Sequence, residues 1–124
     1  MSIFTHVMVG ADSLALAKTF YDATMRALGV ALIAETTDRL YYADGGAPFV
    51  VTLPRNGLSA APANGGTIGL AAADVAAVDA WHAAGIAHGG RDSGAPGPRD
   101  SAPGKYVAYL LDPSGNKLCV HCNI

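Results

Sequence analysis

The sequence predicts an α+β fold built from two copies of a βαβββ module. The first observation behind this is a repeat: the segment opening at His6 returns at Thr67. His6-Val7-Met8-Val9 then aligns with Thr67-Ile68-Gly69-Leu70, Ser13 with Asp74, Ala17 with Val78, and Phe20-Tyr21 with Trp81-His82. The second is that the hairpins repeat too. Setting Ala43-Asp44 on Leu111-Asp112, with one extra residue in the second turn, pairs Gly46 with Gly115, Phe49 with Leu118, Val50 with Cys119 and Thr52 with His121. The third is a turn-rich stretch between the halves, Pro54 to Gly66, carrying Asn56-Gly57, Pro62 and Asn64-Gly65-Gly66. Two copies of one supersecondary unit bury a shared core and bring matching positions together about a pseudo-twofold axis.

The elements follow in order. Ile3 to Val9 is a β-type run rich in Val, Ile and Phe, ended by Gly10. Asp12 or Ser13 caps a helix of about four turns, whose stripe Leu14, Ala17, Tyr21, Thr24 and Leu28 recurs at three- and four-residue steps, with Gly29 at the C′ position. Val30 to Glu35, Leu40 to Ala43 and Phe49 to Leu53 read as strands separated by turn signals at Thr37-Asp38 and Asp44-Gly45-Gly46. The second unit opens with Thr67 to Ala72. Asp74 then caps a helix with Val75, Val78, Trp81 or His82 and Gly85 on its packing side, and Gly85 is the expected stop. Gly89 to Gly104, rich in Gly, Pro, Ser and Asp and without a period, reads as a long loop of the kind that carries function or disorder. Tyr106 to Leu111 and Lys117 to Asn123 close the chain as a hairpin around Asp112-Pro113-Ser114-Gly115-Asn116.

A chain of 124 residues is the size of one domain, 1–124, with module 1 over about 1–57, a linker over about 54–66 and module 2 over about 67–124. At 51% hydrophobic and 15% charged residues it lies far from the disordered regime. A net charge of -2 without any Lys/Arg cluster gives no electrostatic footprint for nucleic acid or anionic lipid, so neither is expected as a partner. No apolar run approaches the roughly 20 residues of a membrane span, and Met1-Ser2-Ile3-Phe4 lacks the pattern of a signal peptide, so a cytoplasmic location is expected.

Strand alternation sorts the side chains by face. With Val7 and Val9, Ile68, Leu70 and Ala72, Phe49, Val51 and Leu53, and Leu118, Val120 and Cys122 turned toward the helices, the other face receives Phe4, His6, Met8, Val50, Thr52, Thr67, Gly69, Ala71, Lys117, Cys119 and His121. The same rule undoes a Cys119-x-x-Cys122 metal or redox pair, because residues three apart on a strand point to opposite sides. Cys122 is then a small core residue.

In these features the chain resembles the vicinal oxygen chelate superfamily, which includes glyoxalase I, bleomycin-resistance proteins and extradiol dioxygenases. The resemblance covers essentially the whole chain. It rests on His6-Val7-Met8-Val9 before a helix with Phe20-Tyr21-Asp22 and Leu28-Gly29, on Ala80-Trp81-His82-Ala83-Ala84-Gly85, and most specifically on Asp112-Pro113-Ser114-Gly115-Asn116-Lys117-Leu118. It implies the glyoxalase/bleomycin resistance/dioxygenase fold, a cupped mixed sheet with helices on the outer face, often completed as a homodimer. It also implies that a metal site, where present, draws ligands from the first and last strands of each module, here His6, Val50, Thr67 and Cys119. Of these only His6 suits a hard divalent ion: valine has no donor, Thr67 offers a neutral hydroxyl, and Cys119 stands where the family usually has glutamate. A degenerate site of His6, Cys119 and His121 is the remaining arrangement of metal ligands.

Two functions therefore compete. One is a protein that binds a small molecule in a cup-shaped cavity with the family's metal site depleted. Its cavity would be lined by Phe4, Met8, Val50, Thr52, Thr67, Tyr41, Tyr109 and Arg99, with His6 as the candidate catalytic or carbonyl-binding group. Tyr41 and Tyr109 are paired by the hairpin alignment, and Arg91, Arg99, Lys105 and Tyr106 surround the long loop, where an arginine would clamp a carboxylate. The alternative is a divalent-metal-dependent lyase, isomerase or dioxygenase of the glyoxalase I type, in which the ion polarises vicinal substrate oxygens.

Overall fold

A computed structural model describes residues 2–124. The chain runs β1 (Val7–Gly10), α1 (Leu14–Ala27), β2 (Ala31–Glu35), β3 (Arg39–Ala43), β4 (Phe49–Thr52), β5 (Ile68–Ala71), α2 (Val75–Ala87), β6 (Arg91–Arg99), β7 (Ala102–Leu111) and β8 (Lys117–Asn123). Each half is a βαβββ module with its own four-stranded mixed sheet, ordered β1-β4-β3-β2 and β5-β8-β7-β6. In both, the first strand pairs parallel with the last and the rest are antiparallel. The repeat seen in the sequence is thus a repeat of topology and register, since Met8 opposes Val50 as Gly69 opposes Cys119.

Helix starts follow the expected chemistry. The Ser13 hydroxyl accepts from Leu16 N at 3.2 Å, and the Asp74 carboxylate accepts from Ala77 N at 2.8 Å. The two helices pack on each other and on their own sheets, burying Ala17, Phe20, Tyr21, Thr24 and Met25 of α1 and Val78, Trp81 and Gly85 of α2. Sheet residues of the same parity complete the core: Val9, Leu40, Tyr42, Phe49 and Val51 from module 1, and Ala108, Leu110, Leu118, Val120 and Cys122 from module 2. No helix among the described residues is long and apolar enough to cross a membrane.

Three sequence expectations change. Gly85 does not stop α2, which continues to Ala87 with His88 as C-cap; Gly89, at φ +97°, is the C′ glycine. Gly85 is glycine for a different reason: a β-carbon there would meet Leu110 Cδ1 at 2.2 Å and Phe20 Cε1 at 3.2 Å. Most of Gly89 to Gly104 is no loop but β6 and the start of β7, joined by a turn at Asp100-Ser101. β6 is the edge of its sheet, where Pro96 and Pro98 are tolerated, and the pairing with β7 shifts register at three places, which erases the alternation a strand normally shows. Finally, β1 begins only at Val7, so Phe4 and His6 precede it. Val7 N bonds Pro48 O at 3.0 Å, and the ladder ends there because Pro48 has no N–H to return.

Two edge strands, β1 and β5, flank the seam between modules. A groove there is lined by Met8, Val9 and Gly10 on one side and Thr67, Ile68, Asn116 and Lys117 on the other. Asn116 Nδ2 crosses the seam to Gly10 O at 2.9 Å, and Asp12 N donates to Ser114 Oγ at 3.2 Å. The turn Asp112–Asn116 therefore clasps the first module.

Candidate functional site

With both helices on one side, the opposite face of the two sheets carries no helix, though Val50 and Val107 on it are buried, and register sorts its side chains into rows. In module 1, Met8, Val50 and Tyr41 form one row and Gly10, Thr52 and Arg39 the next. In module 2, Gly69, Cys119, Tyr109 and Gly94 form a row, and Ala71, His121, Val107 and Gly97 the next. The face assignments made by parity hold for Met8, Val50, Thr52, Cys119 and His121, and the pairs Tyr41/Tyr109 and Thr52/His121 occupy equivalent places.

The predicted residues differ in what surrounds them. Phe4 is 60% and Met8 40% exposed, so both present apolar surface to solvent. Val50 is buried between the larger Met8 and Tyr41 of its row. His6 is exposed, with Nδ1 3.1 Å from Thr5 Oγ1, and Thr67 is exposed just ahead of β5. Cys119 is half-buried beside Gly69, whose missing side chain leaves room for Sγ: a β-carbon there would sit 3.4 Å away. Burial pushes the Cys119 thiol up, only partly offset by the Lys117 ammonium. Among the described residues, no three His, Cys, Asp or Glu side chains gather where they could hold one ion, so His6, Cys119 and His121 are not brought together.

Tyr109 is the centre of a cationic cluster. Lys117 Nζ lies 5.1 Å and the Arg99 guanidinium 5.9 Å from its ring centroid. Arg99 is held there by bonds to the carbonyls of Gly97 at 3.0 Å, Pro98 at 3.1 Å and Ala95 at 2.5 Å. It is a folded-back strand end rather than a residue of a mobile loop.

At the other end of the face, a concavity of about 620 Å³ is lined by Thr36, Asp38, Arg39, Tyr41, Thr52, Leu53, Pro54 and Arg55. Arg39 Nε donates to Thr52 Oγ1 at 3.3 Å, and the Thr52 hydroxyl donates to Leu53 O at 2.9 Å. The Tyr41 hydroxyl beside Arg39 lifts its guanidinium further above the ordinary range. Sequence reasoning missed Arg39 because the strand was started at Leu40; one residue more, and parity places Arg39 two before Tyr41 on the same face. Arg55 had no periodic signal, as it lies in the linker.

A family model described as the Glyoxalase/Bleomycin resistance protein/Dioxygenase superfamily matches residues 3–120. A crystal structure of a glyoxalase/bleomycin resistance protein from Albidiferax ferrireducens T118 is similar at 44% identity and a TM-score of 0.89, covering 97% of this chain and 98% of that one. A glyoxalase-related enzyme from Fulvimarina pelagi shares the fold at 16% identity and a TM-score of 0.80, covering 99% and 89%. Lactoylglutathione lyase from Agrobacterium tumefaciens does so at 22% identity and a TM-score of 0.68, covering 98% and 93%. No curated protein matches the chain.

Proposed function

Because the chain belongs to the glyoxalase/bleomycin resistance protein/dioxygenase superfamily, we propose that its helix-free sheet face is a binding cup for a small organic molecule, working without the divalent ion of the family's metal-dependent members. The observation that carries this reading is the chemistry of the four ligand-equivalent positions. Val50 has no donor and is buried, Thr67 offers a neutral hydroxyl, the Cys119 thiol is disfavoured as thiolate, and His6 stands exposed beside Thr5. These residues do not fit a hard ion, which wants imidazole and carboxylate together. What this region does offer is exposed apolar surface at Met8 and, just ahead of β1, at Phe4, a half-buried Tyr41 and a few polar groups, the usual composition of a small-molecule site.

In this reading His6 is a hydrogen-bonding group on the cup wall, and a second copy of the chain covers the exposed Phe4 and Met8 to close the cup as a homodimer. The glyoxalase I type of reaction is the lesser reading, since likeness to the lactoylglutathione lyase at 22% identity extends to the fold alone.

The deciding experiment uses protein purified without a chelating tag, with its metal content measured and a library of aromatic and carboxylic compounds screened by thermal shift with and without chelator. Ligand shifts indifferent to chelator are expected. A stoichiometric divalent ion whose removal abolishes every shift would overturn the reading. Sedimentation velocity tests the dimer, and a monomer at all concentrations would refute that part.

A further inference from the structure

The face of the cup is asymmetric in charge. Among the described residues, no Asp or Glu occupies a paired strand position on it, because Glu35 pairs with Leu40 and Asp92 with Leu110, both on the helix side. Arg39 therefore has no carboxylate across from it. Its register partner is Thr52, and it takes part in neither ion pair found among the described residues, Lys18–Asp22 and His82–Asp92. The position equivalent to Arg39 in module 2 is Val107, and that equivalent to Thr52 is His121, so the two halves have diverged at this row.

Two arginines, Arg39 and the exposed Arg55, are among the residues lining the 620 Å³ concavity against a single acidic residue, Asp38, which already accepts from Thr36 Oγ1 at 2.8 Å. The neighbouring row along the strands is Tyr41, Val50 and Met8, an aromatic and aliphatic strip roughly 6 to 7 Å away by the rise of two strand residues. We propose that the cup takes an amphiphilic organic acid, its oxyanion gripped by Arg39 and Arg55 with the Tyr41 hydroxyl, and its apolar body laid along Tyr41 and Met8 toward His6.

The proposal rests on the cup-binding reading and adds the class of ligand and its orientation. A planar guanidinium fork matches a carboxylate bidentately and suits a phosphate as well. The apolar strip is what selects an organic acid over the free inorganic ion. Pre-orientation of Arg39 by the bond from its Nε to Thr52 leaves its terminal nitrogens for the ligand, which reduces the ordering that binding must impose.

The test uses 4-phenylbutyrate, its uncharged amide and inorganic phosphate as probes, with protein labelled at the methionine methyls. Met8 reports the cup and Met25, buried in the core, reports that each variant is folded. In the unaltered protein the acid should move the Met8 signal and bind about tenfold tighter than the amide, the scale of one charge-assisted contact. Arg39→Ala should remove that preference while leaving amide binding and the Met25 signal unchanged; Arg39→Lys should restore part of it, and Lys117→Ala should leave it intact. Equal binding of acid and amide at Met8 would sink the anion subsite and spare the cup. No perturbation of Met8 by either would sink both. Preference lost in Lys117→Ala but kept in Arg39→Ala would overturn the assignment to this end, and phosphate binding as tightly as the acid would overturn the amphiphile.

Discussion

The Tyr21 hydroxyl donates to Asp112 Oδ2 at 2.5 Å, joining the first helix of one module to the last turn of the other across 91 residues of sequence. Both groups are buried, and the carboxylate also accepts from Ser114 N, Asn116 N and Asn116 Nδ2. Burial, and then the Asp112 charge, raise the tyrosine well above its ordinary range, so the bond keeps its proton at any physiological pH. Tyr21→Phe should cost about 1 to 3 kcal/mol of stability, because it leaves a buried acceptor short of one donor. Asp112→Ala should cost more, since four donors lose their partner. Urea unfolding of both variants checks the order; a neutral Asp112→Ala would contradict the clasp.

Gly85→Ala should destabilise by about 1 to 3 kcal/mol, as overpacking does when the neighbours are themselves fixed. Leu110 and Phe20, both fully buried, would have to yield to the added methyl. A helix-propensity argument predicts the opposite sign, because alanine is the better helix former. Thermal melts of this single variant therefore decide between packing and propensity.

The thiol of Cys119 should alkylate slowly at neutral pH, with a pH–rate midpoint above that of an ordinary thiol, because burial opposes the thiolate. Lys117 works the other way, so Lys117→Ala should move the midpoint higher still. Cys122, buried in the core, should be the slower of the two. Rapid labelling of Cys119 at neutral pH would show that the thiol is activated and reopen a nucleophilic role.

Asp22 links stability to pH. Partial burial pushes its carboxyl up, but hydrogen bonds from Lys18 at 2.8 Å and Tyr42 at 2.7 Å outweigh that and hold it below its ordinary value. A depressed carboxyl contributes stability that is present above its unfolded pKa of about 4 and lost as pH falls through the lower folded value. Asp22→Asn should accordingly be less stable than the parent at neutral pH, with the difference shrinking in acid. Paired denaturation curves at both pH values test the sign; a gap that widens in acid would refute it.

Much of this architecture was legible in the sequence because it follows from local rules. Alternation assigned Val51 and Leu118 to one face and Met8 and Cys119 to the other, capping chemistry narrowed the first cap to Asp12 or Ser13 and located Asp74, and the hairpin alignment matched Tyr41 with Tyr109. What escaped were features set by tertiary context. β6 is an edge strand covered on one side only, so its Gly, Pro and Ser composition carried no hydrophobic period to detect. Gly85 looked like a helix terminator because glycine usually is one, whereas the constraint comes from Leu110 on another element. Of the residues lining the concavity, the sequence singles out Tyr41 and Thr52 but not Arg39 and Arg55, whose proximity depends on the linker folding back beside β3.

The prolines of β6 also bear on solubility. An exposed sheet edge invites pairing with any extended chain, and the outer edge of the second sheet is nine residues long. Pro96 and Pro98 present no N–H along it, and the three register irregularities keep it from being straight, so an incoming strand finds neither a regular row of donors nor a flat template. This edge is a poor template for strand addition compared with the shorter but proline-free edge strand β2.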